Sequence, residues 1–132
     1  IDINNKSKYI NFHPGLLPKY KGSLSTVWSM INEEKLAGGT WHYLTQKVDS
    51  GNILSQIKIP ISTTSTSFSL NHSIFSKGIL MLEEVLTLVD QKSKGKRQSS
   101  KGKFYYNNFP SLDHIEDEDL KYRINYFPPN FK

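Results

Sequence analysis

Directly after the short run Lys8–Phe12, the chain places Pro14, Gly15, Pro18 and Gly22 within nine residues. Proline fixes its own φ and lacks a backbone donor, and glycine admits conformations closed to other residues. A strand entering this segment must therefore end and hand over to a tight loop. Asn11 and His13, two apart at that strand end, point to the same face. The loop behind them holds backbone close to whatever they face. Farther along, Val48-Asp49-Ser50-Gly51 offers one carboxylate on a tight turn. Amide, imidazole and carboxylate together suit a reaction that builds a tetrahedral oxyanion and moves a proton.

A chain of 132 residues is one domain at most, and is long enough to bury a core. Its 36% hydrophobic and 22% charged residues are those of an ordinary soluble protein. No run approaches the roughly 18 apolar residues of a membrane span, and no signal-peptide pattern is present. The absence of Cys excludes a disulfide framework and a cysteine-built metal site, and fits a cytoplasmic location. The net charge of +5 is uneven: Lys92, Lys94, Lys96, Arg97, Lys101 and Lys103 crowd one segment, and Asp113, Glu116, Asp117, Glu118 and Asp119 another. The basic run reads as a solvated loop in preference to a surface for RNA or a phosphate-bearing ligand. The chain begins at Ile1 and reaches its first motif almost at once, so it reads as a piece of something longer.

The pattern predicts a buried strand at Lys8–Phe12. A helix is expected at Ser23–Asn32, capped by Ser23, with Leu24, Val27, Trp28 and Ile31 on its inner face. Gly38-Gly39 are expected to break the chain before a strand at Thr40–Thr45. In the next strand, Ile53–Ile61, Ile53, Ile57, Ile59 and Ile61 face one way and Gln56 and Lys58 the other. The Ser/Thr cluster Ser62–Ser69 should cap one long helix, Ser69–Gln91, carrying a core stripe of Phe75, Ile79, Leu82, Leu86 and Val89. Ser93–Lys103 reads as a basic loop and Phe104–Tyr106 as a strand or packed extended segment. Strand, helix, strand, turn, strand, helix is an α/β pattern, and such sheets carry their sites at strand ends and in the following loops.

Asn11 can donate through its amide without changing charge. His13 can donate as imidazolium or shuttle a proton near neutral pH. Asp49 can orient or charge His13, or take a proton through water. No Ser sits in a Gly-x-Ser-x-Gly elbow, so direct transfer is expected in place of an acyl-enzyme. His42 reads as a partly buried strand histidine bonded to a neighbour, and His72 and His114 as surface residues. No ligand spacing points to a metal.

Asn11-Phe12-His13-Pro14-Gly15-Leu16-Leu17-Pro18-Lys19-Tyr20-Lys21-Gly22 resembles the signature of the folate-dependent formyltransferases. Gly38-Gly39-Thr40-Trp41-His42-Tyr43 resembles that family's Gly-Val-Thr-x-His strand, and Asp49-Ser50-Gly51 its Asp-x-Gly turn. Gln98 followed by Tyr105 resembles a block of the longer members. The resemblance implies the later part of a Rossmann-like three-layer α/β domain, without its N-terminal part. The later half of the domain would occupy residues 1–110, followed by a C-terminal tail at 111–132. It implies Asn11, His13 and Asp49 as catalytic residues and Gln46, Val48, Asp49 and Gly51 as the border of the pteridine. The donor would be 10-formyltetrahydrofolate and the acceptor a primary amine. Gly15 stands where the family more usually has Ser, and Gly39 where it has a β-branched residue.

Trp28–Ile61 and the Gln98/Tyr105 block look more like sugar-nucleotide and methionyl-tRNA formyltransferases than the short glycinamide ribonucleotide enzymes. Tyr126-Phe127-Pro128-Pro129 resembles the tail of the sugar enzymes. An amino sugar linked to a nucleotide is the favoured acceptor, ahead of methionyl-tRNA and of glycinamide ribonucleotide. A noncatalytic fragment serving as an interaction module is the reading from another class.

Overall fold

The computed structural model describes residues 9–99, 102–105 and 109–125; Tyr106 and the Tyr126–Pro129 segment lie outside them. Among the described residues nine elements follow in order: β1 (Ile10–His13), β2 (Tyr20–Gly22), α1 (Ser25–Ile31), β3 (Leu36–Tyr43), β4 (Ile53–Pro60), α2 (Ser67–Leu80), α3 (Leu82–Asp90), β5 (Lys103–Tyr105) and α4 (Glu118–Ile124). The architecture is α/β. β1, β3 and β4 form an antiparallel sheet with β3 in the centre, and β2 pairs with β5 in parallel beside it. Val27 and Met30 of α1, Ala37 of β3, Ile59 of β4, Leu70 and Ile74 of α2, and Ile115 and Ile124 around α4 make one core. Residues of 112–124 thus pack into the same core as the sheet.

The β4 alternation is as expected where it meets the core: Ile57, Ile59 and Ile61 pack inward and Lys58 is exposed. Gln56 instead donates to the Leu17 carbonyl at 2.8 Å. The α2 start is also as expected, with Thr66 and Ser69 forming a reciprocal capping box that satisfies two backbone donors.

Three expectations fail, each because of a contact from elsewhere in the fold. Ser23 does not cap α1. Its N–H is drawn 3.1 Å to the Tyr105 carbonyl, and Leu24 takes the cap position in a left-handed conformation at φ 57°. Of the inner face expected for α1, Val27 is fully buried, while Ser25, Thr26, Ser29 and Met30 join it.

Gly38 and Gly39 do not break the chain but lie inside β3. A Cβ on Gly39 would stand 2.3 Å from the Phe12 ring, and one on Gly38 2.1 Å from the Ile57 carbonyl. Glycine here admits a close neighbour.

The long helix is two helices joined at Met81. At the junction the Gly78 carbonyl accepts both the Trp41 indole N–H (2.9 Å) and the Met81 N–H (3.2 Å), which interrupts the α-helical ladder. The buried face is Leu70, Ile74, Gly78 and Val85. Phe75 and Ile79 of the expected stripe are 45% and 68% exposed, and Leu86 is exposed as well. The true face lies one residue, about 100°, from the apolar stripe. Its centre is a glycine, which hydrophobicity does not register.

Gly39 and Gly78 both grip the tip of the Phe12 ring, a Cβ on Gly78 falling 2.4 Å from it. Phe12 stands between Asn11 and His13, so the grip sets where both point. Alanine at position 78 gains roughly 1 kcal/mol in helix propensity but overpacks the ring at about 1–3 kcal/mol. Gly78→Ala should lower the denaturation midpoint, and the loss should vanish or reverse in a Phe12→Leu background, as a double-mutant cycle would measure.

Candidate functional site

The antiparallel register sets Asn11 opposite His42 and His13 opposite Thr40. One buried histidine therefore lies across from the amide and another lies two residues along. A register shift between Trp41 and His42 then delivers the chain to the turn that carries Asp49, which sits at φ 52°. Gly51 closes this turn: a Cβ there would stand 1.6 Å from the Tyr43 carbonyl oxygen. Gln98 fastens the turn from behind, its Nε2 donating to the carbonyls of Asp49 (2.9 Å) and Gly51 (2.7 Å).

Asn11, His13 and Asp49, far apart in sequence, meet here. His13 is buried, and its Nε2–H donates to the Tyr20 carbonyl at 2.6 Å, with the Ser25 hydroxyl at 3.3 Å. A carbonyl can only accept, so Nε2 carries a proton and Nδ1 is the nitrogen free to exchange one. Nδ1 lies 3.6 Å from Asp49 Oδ2. That oxygen also accepts the Gly22 N–H at 2.8 Å, so the loop's last glycine holds the carboxylate toward the histidine.

His42 links the other two groups. Its Nδ1–H donates to the Tyr43 carbonyl at 2.9 Å, which leaves Nε2 to accept from Asn11 Nδ2 at 3.3 Å. Nε2 also lies 3.8 Å from Asp49 Oδ1. Burial holds the His42 pKa below the usual histidine value and the charge on His13 pushes the same way, although the Tyr43 carbonyl and the Asp49 charge pull upward. The neutral ring fixes one amide hydrogen of Asn11 and leaves the other to donate elsewhere.

A histidine kept neutral by folding binds fewer protons than the unfolded chain just below its ordinary value of about 6.5. Its contribution to stability is therefore complete above that value and is lost as pH falls below it, by at most about 1.4 kcal/mol per pH unit. Between about pH 7.5 and 5.5, wild-type protein should lose denaturant resistance, and His42→Gln should lack that component of the loss.

Of the expected pteridine border, Val48 is 63% exposed, Gln46 is exposed, and Gly51 is buried within the turn. His72 is exposed, as is His114.

Sequence reasoning missed three residues. Thr40, wholly buried, donates to the Gly15 carbonyl (2.7 Å) and accepts from the Leu17 N–H (3.2 Å), pinning the loop to β3. Gln56 supports the same oxygen at 3.0 Å. Ser25 fills the space beside His13: a Cβ on Gly15 would fall 2.6 Å from its hydroxyl and 2.7 Å from His13 Nε2. Gly15 thus makes room for a hydroxyl contributed by α1. The available signal was the pairing of a loop glycine with a Ser at the start of the next helix.

The result is an α/β scaffold whose site can stabilise an oxyanion and relay a proton. Residues 3–86 match the Formyl transferase family, and the chain belongs to that family. It is 35% identical over 130 residues to a GDP-perosamine N-formyltransferase of Brucella melitensis, covering 94% of this chain and 50% of that protein. It is 32% identical over 126 residues to a methionyl-tRNA formyltransferase of Treponema denticola, covering 91% and 39%. Among solved structures it resembles WlaRD, a sugar 3N-formyl transferase crystallised in the presence of dTDP and 5-N-formyl-THF. The TM-score is 0.71 and the identity 26%, over 80% of this chain and 39% of that one. The chain spans about half the length of the first of these relatives, or less of the others. Among the described residues no helix is long and apolar enough to cross a membrane, and no cluster of His, Cys, Asp or Glu could hold a metal.

Proposed function

We propose that this chain carries the reacting centre for formyl transfer from 10-formyltetrahydrofolate to a primary amine on a nucleotide-linked amino sugar. The folate supplies an activated formyl group. Asn11, His13 and Asp49 are the catalytic residues in this reading, within the later part of a formyltransferase domain at 1–110. Asn11 donates its second amide hydrogen to the oxygen on which negative charge develops, at no cost in reorganisation. Asp49 and His13 Nδ1 take the proton that the attacking amine must lose and return it to the departing nitrogen. Gln46, Val48 and Gly51, around Asp49, border the donor.

The observation that carries this reading is the Asn11–His42 hydrogen bond. It aims one amide hydrogen and frees the other beside a carboxylate–imidazole pair. The names of the relatives favour a sugar amine over other acceptors.

The test is an assay of the intact protein with 10-formyltetrahydrofolate and a panel of nucleotide amino sugars, methionyl-tRNA and glycinamide ribonucleotide. The products are read by mass. Formylation of a sugar amine is expected. Formylation of methionyl-tRNA alone, with steep salt dependence, would replace the acceptor. No formylation of any amine would remove the enzyme reading and leave an interaction module.

A further inference from the structure

Beside this centre the chain buries a lysine that no carboxylate neutralises among the described residues. Lys21 is 5% exposed. Its Nζ has the Ser50 hydroxyl at 3.4 Å and the Phe104 ring at 5.3 Å, and it belongs to none of the ion pairs. A covered ammonium with one long hydrogen bond has lost most of its water and gained little in exchange.

Lys21 lines a cavity of about 490 Å³ together with Lys47, Ser50, Arg97, Gln98 and Ser99. Three cations and two hydroxyls face this space, and among the described residues no acid lines it. We propose that this cavity is an anion subsite that takes the phosphate oxygens of a phosphorylated substrate. It rests on the proposed function only for the source of the phosphate, which we assign to the diphosphate of the acceptor.

The chain ties the subsite to the reacting centre by sequence. Lys21 directly precedes Gly22, whose N–H holds the Asp49 carboxylate, and Ser50 directly follows Asp49. A phosphate bound at Lys21 and Ser50 is therefore registered against the proton acceptor, which would position the amine of the same molecule. Arg97, adjacent to the Gln98 that fastens the Asp49 turn, adds a planar donor suited to phosphate. Lys92, Lys94 and Lys96 of the basic run stay exposed, and Arg97 lines the cavity.

The experiment is a titration of the intact protein with pyrophosphate, followed by calorimetry and phosphorus NMR. One saturable site is expected, weakened at least tenfold by Lys21→Met. The exposed Arg97→Gln should weaken it several-fold, and serves as the second variant if Lys21→Met fails to fold. Lys94→Met and Lys96→Met, exposed cations of the same segment outside the cavity, should leave it unchanged. Absence of saturable binding, or equal losses in all four variants, would overturn the subsite.

With an active preparation, Arg97→Gln should raise KM for the acceptor more than it lowers kcat. A rise in KM for the folate alone would place the anion on the donor and overturn the assignment. Pyrophosphate binding through Lys21 in a protein that formylates no amine would sink the proposed function and keep the subsite.

Discussion

Asn11→Ala should reduce kcat by about 10²–10³-fold while the thermal midpoint changes little. The amide is half-buried at the end of a strand, and its side chain is bonded to His42 Nε2. Removing it takes away no core contact. It does remove a donor whose direction the neutral His42 ring had already fixed, and such a preorganised donor acts chiefly on the charge developing in the transition state. KM for either substrate should therefore move far less than kcat. An equal fall in the thermal midpoint and in activity would show a structural role instead. Unchanged turnover would remove Asn11 from the mechanism.

Gly51→Ala should be the most damaging single methyl in the chain. The added carbon would fall 1.6 Å from the Tyr43 carbonyl oxygen, and neither partner is a flexible side-chain tip. Ordinary overpacking costs about 1–3 kcal/mol because side chains can give way; here one backbone must leave the other, so the loss should reach the upper end of that range or exceed it. Tyr43 O is also the acceptor that keeps His42 in its tautomer. Asp49 shares the displaced turn. Activity should fall at least a hundredfold even at temperatures where the variant remains folded, read as kcat beside a circular-dichroism melt. A variant with wild-type stability and turnover would mean that the turn has another place to go.

What the sequence made legible was chemistry held at strand ends. The shared face of Asn11 and His13 follows from a two-residue step on a strand, and the turn at Asp49 from Asp-Ser-Gly. Partners contributed from a distance were harder to see. His42 reads locally as a strand histidine, and only the β1–β3 register reveals that it holds Asn11. Thr40 and Gln56 pin the loop through a hydroxyl whose burial no local pattern announces. Lys21 sits in a string of charged and aromatic residues that gives no local sign of its burial. The helix face was misjudged because Gly78 is central to packing and silent in hydrophobicity. Ser23 lost its cap to a backbone bond from β5, a contact spanning more than eighty residues.

The apolar face that α2 and α3 turn outward has a practical meaning at the bench. Phe75, Ile79, Leu80 and Leu86 are all exposed, together with a groove of about 620 Å³ beside them. Dyes that brighten on hydrophobic surface serve as markers of loosened, partly folded states. The chain of residues 1–132 should brighten them while natively folded. Such a signal, taken alone, would misclassify a sound preparation as a molten one, so fluorescence must be paired with near-ultraviolet dichroism from Trp28 and Trp41.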